Sequence, residues 1–358
     1  MNRERQSSTA DDLAALLPAS PDAYPHNVEL VRGLVLVLHL DERAYRTASF
    51  LDDRILGPST RGAWLPGSAV IEAARQTANL RPLHFIFHTG HVGSTLLSRL
   101  LDETGIVLPI REPLPLRILA HVHDTLEMPK SLLAEPQFAS LVDMLLRLWS
   151  RGYDWTRAVV VKATSSAGRV AAPLLQARSD ARAVYLNLRA EPYLATLLGG
   201  RNSMTDLRGH GPGRMRRLLS RHAVALAPLH SLSPGELAAL GWLVETLSCR
   251  DAIAAHPDRV LPLDFDDFLA DVSAGLERVL GHFDLPTEAS LLEGIATSPV
   301  LRRYSKAPEE PFPPEERAAR LAHSRRENRD EIARGMAWIE RMARMDATLA
   351  ALQAGAAA

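Results

Sequence analysis

Short apolar runs alternate with amphipathic stretches through the middle of the chain. Leu83-His84-Phe85-Ile86-Phe87-His88 stops at Thr89-Gly90, and residues 94–103 follow with apolar positions at helical intervals. This pattern predicts a strand, a tight turn and a helix. The alternation recurs. Residues 138–149 have helical spacing, 158–161 form a largely β-branched run, 170–177 read as a helix and 183–188 as a strand. Helices are predicted over 213–226 and 234–256, the second opened by Ser233 as N-cap with Pro234 in its first turn. Residues 259–263 make a fourth strand and 266–283 the helix after it. Short strands that are apolar on both faces, alternating with helices, imply a parallel sheet covered on both sides, hence an α/β fold.

The flanks differ. Residues 1–25 are polar and rich in Ser, Asp and Pro, and read as a loose arm with a short helix over 11–17. Residues 28–40 are β-prone and 69–78 helical, while the prolines of 308–314 precede a long charged helix running from Glu315 to about residue 349. The chain therefore divides into an N-terminal extension (1–80) that packs on the core, an α/β domain (81–310) and a C-terminal helical tail (311–358).

Composition narrows the function. With 41 Lys+Arg against 42 Asp+Glu in 358 residues, the chain lacks the basic excess of a broad nucleic-acid surface, though a local anion pocket is compatible with it. The most apolar run, 34–40, is too short to span a bilayer, and the polar, mixed-charge opening does not resemble a secretory leader. Cys249 is the only cysteine, so no intramolecular disulfide or cysteine-based metal site can form. The expectation is a cytoplasmic protein without membrane insertion. Only Lys130, Lys162 and Lys306 are lysines; in so arginine-rich a chain each raises the question of why a compact ammonium is needed.

The turn Gly90-His91-Val92-Gly93-Ser94-Thr95 is the strongest local signal. Glycines stand where backbone must approach a ligand, and hydroxyls open the helix, whose free N–H groups and positive dipole end suit a phosphate. The alternative is a capped helix after a strand, as in any α/β protein. The turn is not a Walker A loop, because Val92-Gly93-Ser94 lacks the lysine, which disfavours a metal-dependent NTPase.

Residues 85–97 resemble the 5′-phosphosulfate loop of sulfotransferases that use 3′-phosphoadenylyl sulfate (PAPS). Gly93, Ser94 and Thr95 fall on the family's Gly-Thr-Thr, and His91 falls where the family carries Arg or Lys. Arg111-Glu112-Pro113 is similar to the segment bearing the catalytic glutamate of protein-tyrosine and heparan-type members. Val160-Val161-Lys162-Ala163-Thr164 resembles the strand-end lysine of the tyrosine enzymes. The strand over 183–188 and Arg189-Ala190-Glu191-Pro192 resemble the 3′-phosphate strand and its Arg-x-Pro turn, with one extra residue. Leu197 stands at the family's serine position, one residue after Thr196. Asp264-Phe265-Asp266-Asp267-Phe268 takes the place of the Arg-Tyr-Glu-Asp-Leu strand-turn of bacterial members. The resemblance covers roughly 83–285.

It implies a P-loop-like three-layer sandwich with a central parallel sheet. It also implies transfer of a sulfuryl group from PAPS, without a metal, to a hydroxyl or amine of a small-molecule, glycan or peptide acceptor. Glu112 would be the general base, and Lys162 and His91 would stabilise the departing phosphate oxygen. Gly90, His91, Val92, Gly93, Ser94 and Thr95 would hold the 5′-phosphosulfate. Arg189, assisted by Thr196 and Arg201, would clamp the 3′-phosphate, and Lys306, in the basic cluster 302–306, would close over the nucleotide. Each residue has a plain alternative. Glu112 can pair with Arg111 or Arg117, Lys162 can snorkel at a strand end, Arg189 can pair with Glu191, and 302–306 can be a solvated charge run. His84 and His88 read as structural histidines, and Asp264, Asp266 and Asp267 as caps. A nucleotide-dependent kinase and a non-catalytic nucleotide-binding module are the competing functions. Neither the acceptor nor the oligomeric state is legible.

Overall fold

The computed structural model describes residues 2–200 and 203–355. Three strands, β1 (Ala23–Glu29), β2 (Leu34–His39) and β3 (Gly62–Pro66), form an antiparallel sheet in that order. Five more, β4 (Leu83–His88), β5 (Val107–Arg111), β6 (Ala158–Lys162), β7 (Ala183–Asn187) and β8 (Val260–Asp264), form a parallel sheet in the order β5-β6-β4-β7-β8. Side-chain alternation sends Phe85, Phe87, Val159, Val161 and Tyr185 into one core, shared with the helices Leu114–His123 and Glu135–Trp149 and with the antiparallel sheet. Ile86, Val160, Val184 and Leu186 enter a second core, shared with the helices Ser94–Asp102, Ala190–Leu198, Pro234–Ala255 and Val272–His282. Two apolar layers around one buried sheet give the expected three-layer α/β sandwich.

Several elements depart from expectation, each for a local reason. The N-terminal arm is not loose. A helix spans Asn2–Leu16, Leu13 and Leu17 are buried, and the guanidinium of Arg151 donates to the carbonyls of Leu17, Ser20 and Ala23. The β-prone run 28–40 is divided by Gly33, whose φ of +65° turns the chain between β1 and β2. Strand β5 carries Pro109 and Arg111 within a short run; as an edge strand it tolerates the proline. The helix expected over 213–226 runs instead over Ser203–Arg221, continuing through Pro212 because Leu207, Gly211, Arg214 and Leu218 are buried. The predicted 266–283 helix is two, broken at Asp271, whose carboxylate accepts the Ala274 N–H. The long C-terminal helix is three, Pro314–Glu327, Arg329–Met345 and Ala347–Gly355. Arg329–Met345 lies against Pro234–Ala255 so closely that a methyl group on Gly235 would overlap the Glu331 carbonyl. Among the described residues no helix is long and apolar enough to cross a membrane.

Candidate active site

Strands β4 and β7 are neighbours whose onward connections leave in opposite directions, β4 toward β5 and β7 toward β8. Ligands of open parallel sheets bind outside the carboxyl ends of the strands at such a point. The Gly90–Thr95 turn fills that position. Gly90, His91 and Gly93 have φ of +107°, +55° and +74°, and a methyl group on Gly93 would overlap the Phe265 ring, so only glycine fits there. His88 pins the turn from beneath. Its Nδ1 accepts the Gly90 N–H at 3.1 Å and its Nε2 donates to the Ala163 carbonyl at 2.9 Å, a pattern that requires the neutral imidazole. Burial, reinforced by the Lys162 charge, holds its pKa well below the ordinary histidine value. His84 is likewise structural, stacked on Phe283 with ring centres 4.6 Å apart, and burial lowers its pKa to about 4.

At this turn the hydroxyls of Thr89 and Thr95 are buried without a partner among the described residues, as is that of Ser166 in the short helix Ser165–Val170 after β6. An unpaired buried hydroxyl is costly, which marks these as donors without a partner in this structure. Val92 is buried and Ser94 nearly so at the head of the Ser94–Asp102 helix. His91 is exposed, with Nε2 3.7 Å from the Asp206 carboxylate, which the imidazole holds below the usual carboxylate range.

The β5–β6 register sets Arg111 beside Lys162, and the next residue, Glu112, donates its backbone N–H to the Lys162 carbonyl at 2.7 Å. With φ at +52°, Glu112 turns its side chain back to accept a hydrogen bond from the Lys162 ammonium. The Lys162 side chain is 1% exposed and that of Glu112 12%. Burial pushes the Lys162 pKa down, and the carboxylate opposes that shift. Neither alternative partner holds Glu112. Arg111 is wholly buried and donates to Ser98 Oγ, to the carbonyls of Tyr45, Arg46 and Ala48, and to Asp102. Arg117 faces Asp52 at 3.8 Å. The second Glu112 oxygen lies instead 3.9 Å from Arg54 Nη2, a contact the sequence did not suggest.

Lys306 sits in the turn between β9 (Arg303–Tyr304) and β10 (Ala307–Pro311). Arg99 holds that turn by donating to the Ser305 carbonyl at 2.6 Å, and the Lys306 charge acts on both Lys162 and His88. The Arg189 side chain stands exposed just beyond β7 with no hydrogen bond or ion pair among the described residues, and Glu191, its expected partner, is bound bidentately by Arg325. The Thr196 hydroxyl donates to the Pro192 carbonyl of its own helix at 2.7 Å. Arg201 lies outside the described residues. Asp264 caps its helix through the N–H groups of Asp266 and Asp267, and Asp266 pairs with Arg317. The turn, Glu112, Lys162 and Lys306 are thus brought to one edge of the sheet, with Arg189 at the end of β7 on the same edge.

No protein-family model and no curated protein matches the chain. Among solved structures it is similar to the sulfotransferase domain from the curacin biosynthetic pathway (12% identity over 66% of this chain and 84% of that one, TM-score 0.37). It is also similar to mouse sulfotransferase SULT7A1 complexed with PAP (11% identity, 80% and 93% covered, TM-score 0.39). A third similarity is to sulfotransferase STF9 from Mycobacterium avium (12% identity, 90% and 96% covered, TM-score 0.38). At such scores the likeness carries no argument about chemistry, which rests on the site itself.

Proposed function

We propose that the chain transfers a sulfuryl group from PAPS to a hydroxyl or amine of a small-molecule, glycan or peptide acceptor. The observation that carries this reading is the buried Glu112–Lys162 pair at the carboxyl edge of the sheet, beside a glycine turn with unpaired hydroxyls. Glu112 takes the proton from the acceptor oxygen or nitrogen as that atom bonds to sulfur. The bond between sulfur and the bridging phosphate oxygen breaks, and Lys162, with His91 on the turn, meets the charge that grows on the departing oxygen. The products are the sulfated acceptor, adenosine 3′,5′-bisphosphate (PAP) and a protonated Glu112. The turn amides with Ser94 and Thr95 hold the 5′-phosphate, Arg189 faces the 3′-phosphate, and Lys306 closes from the hairpin. Positioning and charge neutralisation supply the catalysis.

Calorimetry with PAP, ADP and ATP tests the donor. The expected result is binding of PAP at least about tenfold tighter than either alternative, one charge-assisted contact at the 3′-phosphate being worth about 1.5–3 kcal/mol. Glu112→Gln and Lys162→Ala are expected to abolish transfer while retaining PAP. Equal binding of ADP and PAP, or transfer that survives in both variants, overturns the assignment.

A further inference from the structure

Across the mouth of the sheet the groups fall in the order of the strands that carry them. Arg189 follows β7, the glycine turn follows β4, Lys162 ends β6 and Glu112 follows β5. If PAPS occupies the turn, whatever lies beyond Glu112 lines the acceptor side. That place is filled by residues 49–54. The Leu51 N–H donates to the Arg111 carbonyl at 2.6 Å, stitching the segment onto β5 one residue before Glu112, and Ser49 Oγ accepts from Arg99 at 2.7 Å.

The segment presents Arg54 in a fixed pose. Its Nε and Nη2 bond the Asp52 carboxylate at 2.8 and 2.6 Å, and its guanidinium lies 3.3 Å from the centre of the Phe50 ring. Arg117, from the helix after β5, faces the same carboxylate at 3.8 Å, and its side chain makes no hydrogen bond among the described residues. Burial works against the Asp52 charge, yet the Arg54 hydrogen bonds hold its carboxyl below the usual range, so it remains an anion serving two guanidiniums. Arg54 and Arg117 are 54% and 38% exposed and Asp52 11%, so the two cations reach solvent over a shared, largely buried anion. Among the described residues Arg54 Nη1 and the Arg117 guanidinium have no hydrogen-bond acceptor. Of the other charges, Glu112 is hydrogen-bonded by Lys162 with its second oxygen 3.9 Å from Arg54 Nη2, and Asp206 is paired with His91.

We infer that Arg54 and Arg117 form an anion-recognition site for the acceptor, which carries a carboxylate, sulfate or phosphate in addition to the hydroxyl or amine that is modified. This inference rests on the proposed sulfuryl transfer for the meaning of "acceptor", but the anion site itself can be measured without it. A guanidinium that keeps one edge bonded to a buried carboxylate offers its other edge, already oriented, to a second planar anion. Electrostatics of this kind reject uncharged analogues as well as attracting charged ones.

Equilibrium binding of 4-hydroxybenzoate and 4-hydroxybenzamide, with and without saturating PAP, tests the site. The acid is expected to bind at least about tenfold more tightly than the amide, the yield of one charge-assisted hydrogen bond. Arg54→Met is expected to bring the ratio near one. Because Arg54 also braces Asp52, Arg117→Met, which breaks no hydrogen bond, serves as the second variant and is expected to lower the ratio severalfold. A ratio near one in the unaltered protein, binding of neither probe, or a ratio unchanged in both variants overturns the inference. Failure of PAP to bind refutes the nucleotide reading alone, and the acid–amide ratio without PAP still decides the anion site.

Discussion

Replacing Glu112 by Gln keeps the shape of the side chain and removes its charge. The Lys162 side chain is 1% exposed, and among the described residues Glu112 is the only hydrogen-bond partner of its ammonium. Breaking a buried pair on one side costs about 3–5 kcal/mol, because the remaining charge is uncompensated. The amide oxygen of Gln still accepts from the ammonium, which places the expectation at the lower end, about 3 kcal/mol. Taking about 2.1 cal/mol/K of unfolding entropy per residue over the 358 residues, this lowers Tm by about 4 °C. The loss depends on pH with a definite sign. Burial already depresses the folded-state pKa of Lys162 below its unfolded value, and without the carboxylate that depression deepens. The penalty is full below the folded pKa and is recovered as pH rises through it toward the unfolded value. Urea unfolding at pH 6 and pH 9 is therefore expected to show a smaller deficit at pH 9. The double variant Glu112→Gln/Lys162→Met is expected to recover most of the stability. A single variant within 0.5 kcal/mol of the parent at pH 6, with no dependence on pH, would refute the buried pairing (a change of that size is typical of surface sites).

Two further outcomes concern the frame around the site. His84 has a pKa of about 4, so the unfolded chain gains a proton near pH 6.5 that the folded chain refuses until about pH 4; stability is expected to fall by about 3 kcal/mol across that interval. Urea midpoints of His84→Phe, which keeps the stack on Phe283, should decline less steeply with acidification, and an unchanged slope counts against the assignment. Gly93→Ala combines a left-handed backbone with an overlap on Phe265, and is expected to cost about 2–4 kcal/mol from strain and overpacking together. Adding Phe265→Ala should return part of the Tm loss; no return would place the strain elsewhere.

The parallel sheet was largely legible because β4, β6 and β7 are buried on both faces, and continuous apolar runs are how such strands read. Strand β5 escaped notice since Pro109 and Arg111 interrupt it, and only the folded chain shows Arg111 satisfied by five hydrogen bonds. The breaks at Asn328 and Asp346 were hidden inside a charged pattern whose helical periodicity runs on through both. Within the site, the turn was visible from its glycines and hydroxyls. The contact of Glu112 with Lys162 joins residues fifty apart, and depends on a strand register that no local pattern encodes. Arg54 carried no signal at all. It lies in the N-terminal part, away from the strand–helix alternation, and its meaning comes from Leu51 being stitched to β5.

That stitch has an evolutionary corollary. The segment beyond Glu112 is a stretch of about six residues, anchored by main-chain bonding and by Arg99, more than thirty positions upstream of the glycine turn. If the proposed anion site holds, exchange of residues 50, 52 and 54 would change which acceptors bind while Glu112, Lys162 and the turn stay as they are. On that reading, acceptor choice could be retuned in this short segment without touching the residues at the strand ends.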